Sequence, residues 1–157
     1  MMLPPLLEYE SEAEYRDHYQ SVYCRGVIST FDGIRVYFDP QKFGHAFYES
    51  SAGGGPKVSF SIVRAQRMDW IKATLGHPDA VLYQGWDKDN KRYVPERRVS
   101  VVYEDFVVVI DLRNAAAGKL KAKFVTCYQA DNSIDKIRCS PKWTLEECLA
   151  VLNKKGR

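Results

Sequence analysis

The sequence lacks most of the patterns that would reveal its chemistry at a glance. It has no CxxC pair, and Cys24, Cys127, Cys139 and Cys148 stand apart with no histidine at zinc-ligand spacing. A zinc module and a disulfide scaffold are therefore not expected, and the four are read as reduced thiols. No HExxH, GxSxG, DxDxDG or paired-carboxylate motif occurs, which removes support for zinc-protease, serine-hydrolase and EF-hand chemistry. No apolar run is long enough to span a bilayer, and residues 1–7 carry Pro4 and Pro5 without a basic start or a long apolar stretch. The expectation is a cytoplasmic protein with no signal peptide and no membrane partner. Charge of either sign is in small excess only: 23 Lys and Arg against 20 Asp and Glu give +3, so any polyanion would have to be met by local clusters.

What is present is a globular composition with 13% aromatic residues, ten of them tyrosines. A chain of 157 residues is long enough for one core. We expect a single domain over 1–157, with residues 1–10 flexible.

Ser11 and Glu14 form a capping box, and Tyr15, Tyr19, Val22 and Tyr23 follow at helical spacing, which predicts a helix over 11–24. Residues 27–30 and 34–38 flank Phe31-Asp32-Gly33 as a hairpin. Asp39-Pro40 starts a short helix that buries Phe43, Ala46 and Phe47 and leaves His45 off the apolar side. Residues 49–57, rich in Ser and Gly, read as a mobile loop without the Gly-Lys-Ser/Thr ending of a phosphate loop.

A helix over 61–75 places Arg64 at the head of a stripe made by Met68, Ile71 and Leu75, and stops at Gly76-His77-Pro78. Residues 80–84 form a short strand, and 87–98 a basic excursion. Residues 99–103 and 106–112 make a hairpin turned by Glu104-Asp105, and Gly118 closes the loop that follows. In 119–128 the side chains of Lys119, Lys121 and Lys123 alternate with Leu120, Ala122 and Phe124, and regular alternation carries Thr126 and Tyr128 onto the second of those faces. Asp131 or Ser133 caps a short helix ended by Ser140-Pro141. Thr144 and Glu147 then cap a terminal helix with Leu145, Cys148, Leu149 and Leu152. The order predicts an α+β fold, with N-terminal helices and a hairpin packed on an antiparallel sheet of about four strands, and a C-terminal helix.

Three features could carry chemistry. His45 is a candidate because an imidazole can move a proton in a transition state, although a lone histidine is commonly a surface residue; His18 and His77 sit in ordinary helix and turn contexts. Arg64 on an apolar stripe needs a phosphate in a groove, an internal carboxylate, or a route for its head group to water. Arg67 and Lys72 would widen a phosphate-binding surface there. Lys119, Lys121 and Lys123 could follow a nucleic-acid backbone or be a solvent face. If the strand is regular, these lysines point away from Thr126 and Tyr128, and only a bulge would join the two sets.

The motifs Phe31-Asp32-Gly33-Ile34, Phe43-Gly44-His45-Ala46-Phe47-Tyr48-Glu49-Ser50, Phe60-Ser61 and Arg64-Ala65-Gln66-Arg67-Met68-Asp69-Trp70-Ile71 occur in a suggestive order. The 103–110 hairpin, Phe124-Val125-Thr126-Cys127-Tyr128 and Ser140-Pro141-Lys142-Trp143 continue it. Together, over about 27–143, they resemble the phage-associated nuclease families grouped with barnase, EndoU, cytotoxic colicins and RelE-type toxins. The resemblance implies a four-stranded antiparallel sheet and a cofactor-free, metal-independent cleavage of RNA through its own 2′-hydroxyl. His45 would be the acid or base and Arg64 the phosphate holder, with Thr126 and Tyr128 orienting phosphate or sugar. Arg67, Lys72, Lys121 and Lys123 would bind RNA around them. It also implies a toxin or defence effector, with tRNA among its candidate targets and a cognate inhibitor protein among its candidate partners. The second histidine that EndoU-like sites use has no clear counterpart, so Tyr128, a lysine or the substrate would serve instead. A non-catalytic module holding RNA or an acidic protein through Lys88 to Arg98 and the lysine strand is the alternative, as is a phage-associated structural protein.

Overall fold

The computed structural model describes residues 3–50, 55, 57–114 and 119–155. Ser11 caps the first helix as its capping box predicts, its Oγ accepting from the Glu14 amide at 3.3 Å and donating to the Glu14 carboxylate at 3.0 Å. Helix α1, Glu12–His18, widens into a π-helical stretch, Tyr19–Cys24. Tyr19 and Tyr23 are buried with their hydroxyls satisfied, donating to the carbonyls of Asp39 at 2.7 Å and Met68 at 2.8 Å. The start of the chain, expected to be flexible, lies against this layer: Leu7 donates its amide to the Gln66 carbonyl at 2.9 Å, and the Trp70 indole donates to the Pro4 carbonyl at 2.7 Å.

Strands β1, Ile28–Ser29, and β2, Arg35–Tyr37, form the expected hairpin, with Gly33 in its turn at φ 92°. Asp39 and Pro40 open a 3₁₀ turn, Pro40–Lys42, that runs into α2, Phe43–Ala46. Part of the expected loop is instead a small hairpin of β3, Tyr48–Ser50, and β4, Lys57–Phe60. Residues 51–54 and 56, within that loop, and Gly118 lie outside the described residues.

The single helix expected over 61–75 is two: α3, Ile62–Gln66, capped by Ser61, and α4, Asp69–Gly76. Both keep the apolar stripe, since Ala65, Met68, Ile71 and Leu75 are all buried. After β5, Val81–Gln84, the basic excursion folds as a tight hairpin of β6, Trp86–Asp87, and β7, Arg92–Tyr93. Its charges are partly paired, Arg92 with buried Glu96 at 2.9 Å and Arg97 with buried Asp87 at 3.4 Å. Strands β8, Arg98–Tyr103, β9, Phe106–Asn114, and β10, Leu120–Gln129, follow, then α5, Ile134–Arg138, and α6, Leu145–Lys155.

The fold is α+β, but the sheet corrects the expectation of about four antiparallel strands. It has six, in the order β1-β2-β10-β9-β8-β5, and β2 runs parallel to β10. The β1–β2 hairpin does not pack on the sheet; it joins the edge, with Arg35, Val36 and Tyr37 in register with Lys121, Ala122 and Lys123. That pairing occupies main-chain groups of β10 that would otherwise form an open edge. At the opposite edge the segment around Lys142 covers β5, where the Gln84 and Trp143 amides donate to the Pro141 and Leu82 carbonyls.

The main core lies between one sheet face and helices α1 to α4, where Val99, Val101, Val108, Ile110, Leu112, Ala122 and Phe124 meet the tyrosine stripe and Phe38, Phe43 and Phe47. A smaller cluster on the other face packs Tyr83, Val102, Val107 and Val109 against Ile134 and Ile137 of α5. All four cysteines are free thiols, and burial pushes Cys148 up to about 11, with Glu96 adding to the shift. None of the described helices is long and apolar enough to cross a membrane.

Candidate active site

The site begins with one extra residue in β10. Phe124 pairs with Ile110 and Thr126 with Val109, so Val125 has no partner of its own and the ladder bulges there. Side chains alternate along a strand, and one inserted residue inverts the alternation beyond it. Ala122 and Phe124 point into the core before the bulge, and Cys127 does so after it. Thr126 and Tyr128 therefore fall on the same face as Lys121 and Lys123, opposite Val109 and Val107. The expectation that Thr126 and Tyr128 continue the Ala122–Phe124 face is corrected, and the two sets that a regular strand would keep apart are joined.

Pairing across the sheet extends this face. Lys123, Asp111 and Arg98 form one row, and Lys121, Arg113 and Arg35 another. Thr126, Val109, Ser100 and Tyr83 form a third. Arg35, Arg98, Arg113, Lys121 and Lys123 thus share one surface with Asp111, which accepts from Arg98 Nε at 2.9 Å and Nη2 at 3.4 Å. The Arg35 guanidinium lies over the Tyr37 ring at 4.7 Å, and Lys121 Nζ at 6.0 Å.

A cleft of about 780 Å³ opens on this face. Thr126 and Tyr128 enter it from β10, Arg98 and Ser100 from β8, Lys136 from α5, and His45 from α2. The Asp39 side chain accepts from the Gln41 amide at 2.9 Å, and the buried Phe43, Ala46 and Phe47 fix the inner side of α2, so His45 is turned outward. Burial raises the pKa of Tyr128 above the ordinary phenol value, so its hydroxyl stays protonated at neutral pH.

Arg64 does not line this cleft. It lines a smaller one of about 230 Å³ together with Arg67, Glu49 and Asp131, and Tyr128 is a wall of both. Arg64 Nη1 donates to the carbonyls of Ala46 at 3.1 Å and Cys127 at 3.2 Å. In place of an internal ion pair, two main-chain carbonyls hold one nitrogen of the guanidinium. Arg67 stacks over Trp70 at 5.2 Å and donates to the Val63 carbonyl at 2.7 Å. Lys72 is exposed on α4 and lines neither cleft.

Sequence reasoning thus named His45, Thr126 and Tyr128, which meet in one cleft, named Lys88 and Arg98 of the same cleft only as the ends of a basic segment, and missed Ser100 and Lys136. The bulge appears in the burial pattern, where the buried positions of β10 step by two from Ala122 to Phe124 and then by three to Cys127, but apolar Val125 hides that step in the sequence. Among the described residues no three His, Cys, Asp or Glu side chains come together as a metal site. Comparison with protein-family models, with curated proteins and with solved structures finds no match to this chain.

Proposed function

We propose that the chain is a metal-independent endoribonuclease, acting in the cytoplasm as a toxin or defence effector. The observation that carries the reading is the bulge at Val125, which brings Thr126 and Tyr128 into one cleft with His45 on a face lined by Lys121 and Lys123. The motif resemblance to the barnase, EndoU, colicin and RelE-type families supports it on the same residues.

In this reading His45 accepts the proton of a ribose 2′-hydroxyl as that oxygen bonds to the adjacent phosphorus. The bond from phosphorus to the 5′-oxygen breaks, and Tyr128 gives its phenolic proton to the departing oxygen, whose alkoxide is far more basic than a phenolate. The products are a 2′,3′-cyclic phosphate and a 5′-hydroxyl, and both protein groups return to their starting states by exchange with water. Thr126 orients the phosphate, and Arg98 and Lys136 offset the charge that builds on its oxygens. Arg64, expected at the phosphate, is assigned instead to positioning, because its Nη1 is bonded to the carbonyls of Ala46 and Cys127.

Incubation with total RNA in EDTA tests the reading, the expected result being fragments that end in 2′,3′-cyclic phosphate. RNA left intact across several RNA classes overturns it. A second reading, RNA held without cleavage, draws on the same basic face and predicts salt-sensitive binding with no fragments. The acidic-protein version draws less support, since Arg92 and Arg97 of its basic segment are paired to the buried carboxylates of Glu96 and Asp87.

A further inference from the structure

One wall of the cleft is aromatic. Trp86 and Tyr93 face each other across the β6–β7 hairpin with ring centroids 5.0 Å apart at 74°, and both line the cleft. Trp86 is 48% exposed, a large apolar surface left open beside Lys88, Arg98 and Lys136 of the same cleft. The hairpin that carries it is braced. Asp87 is buried and accepts from the Asp89 amide at 3.0 Å, the Asn90 side chain at 2.8 Å and Arg97 at 3.4 Å. Tyr93 donates to Ser140 Oγ at 3.4 Å, which ties the hairpin to the segment after α5. An indole fixed on a rigid element loses little freedom when a flat partner stacks on it.

We propose that Trp86, backed by Tyr93, is a stacking platform for one unpaired base of a single-stranded RNA. A half-open indole offers a π-face to any base, and the neighbouring cations suit the phosphates on either side of it. A duplex does not fit this chemistry, because its bases are already stacked on one another. Trp86 follows β5, three strands from β10, which places it roughly 14 Å across the sheet from Thr126. The stacked base thus neighbours the nucleotide at Thr126 rather than being that nucleotide's own. This assignment rests on the ribonuclease reading only for its choice of RNA.

The test is fluorescence polarisation with a labelled 2′-O-methyl RNA 12-mer, which cannot be cleaved, and with its duplex, using the wild type, Trp86→Ala and Trp86→Phe. Trp86→Ala is expected to weaken single-strand binding between about 5-fold and 100-fold, with Trp86→Phe recovering most of it and duplex binding unchanged. Equal single-strand affinity in the wild type and Trp86→Ala, or no single-strand binding by the wild type, overturns the proposal. So does an equal loss of duplex binding. Cleavage of the unmodified 12-mer separates the two readings. Single-strand binding that depends on Trp86 without cleavage leaves the platform standing and removes the nuclease, whereas cleavage with the same KM in Trp86→Ala removes the platform alone.

Discussion

Arg64 bonds through one nitrogen to the carbonyls of Ala46 and Cys127, at 3.1 and 3.2 Å, and so ties the residue after His45 to the residue before Tyr128. The two candidate proton-transfer groups come from elements far apart in the chain, and this side chain links the backbone beside one to the backbone beside the other. Arg64→Met removes a charged donor from two carbonyls and is expected to cost about 1.5–3 kcal/mol. Arg64→Lys keeps a donor and should recover part of that stability. If Arg64 is a positioning residue, both variants lower kcat with KM nearly unchanged, the lysine variant less so. Steady-state cleavage kinetics beside thermal melting test this, and full kcat in Arg64→Met removes Arg64 from the site.

Deleting Val125 separates the two things the bulge can do. Without it, Thr126 follows Phe124 directly, and the pairs Phe124–Ile110 and Thr126–Val109 become a regular ladder. Every other residue of β10 keeps its face, so the fold should survive. What is lost is the local bend and twist that a bulge adds to its strand, together with the Val125 side chain, which lines the cleft and packs against the smaller cluster. We expect melting within about 5 °C of the wild type, roughly the effect of 1–2 kcal/mol for a chain of this size, together with a large fall in cleavage. Unchanged cleavage would mean that the facing of Thr126 and Tyr128, rather than their aim, is all the site requires.

Elements set by short-range chemistry were legible in the sequence. Ser11 and Glu14 marked the start of α1, Asp39 and Pro40 the turn into α2, and Glu104-Asp105 the β8–β9 hairpin, where Glu104 takes φ 53°. What depends on distant partners was not. The parallel pairing of β2 with β10 is fixed by which edge is left open, and no local pattern in Arg35–Tyr37 states it. The contacts of Arg64 were equally hidden, because its partners are carbonyls, which every residue carries and no sequence pattern marks. For the candidate site, His45, Thr126 and Tyr128 could be named from motifs. Arg98 could not, since its pairing with Asp111 is a register fact of β8 against β9.

Gly85 sits under that pair. A Cβ at this position would lie 2.2 Å from Arg98 Cγ and 2.7 Å from Arg98 Cβ, so the glycine is what lets the arginine stem cross the backbone. Gly85→Ala must push Arg98 aside and loosen its two bonds to Asp111. The expected cost is about 1–3 kcal/mol, the range for overpacking, with weaker RNA binding because Arg98 leaves the cleft. Melting and polarisation on this variant check it, and wild-type values in both would mean that the arginine has another low-energy route.

The acid side of the stability profile should depend on Tyr48 and Glu12, which join β3 to α1. Tyr48 donates its hydroxyl to the Glu12 carboxylate at 2.7 Å, and Arg16 donates to the same oxygen at 3.0 Å. The hydrogen bond from Tyr48, with Arg16 assisting, holds the Glu12 carboxyl below its ordinary value. A carboxyl whose pKa is lower in the folded state binds its proton first in the unfolded chain, so its contribution is complete above the unfolded value of about 4.3 and is lost as pH falls through the folded one. Tyr48→Phe is therefore expected to melt about 2–4 °C below the wild type at pH 7, on the order of 1 kcal/mol for a surface-facing bond to a charged group. The two melting curves should converge as the pH drops from 5 towards 3, because the wild type then loses the interaction the variant never had. A gap that stays constant over that range would show that the Tyr48 hydroxyl acts through something other than the ionised Glu12.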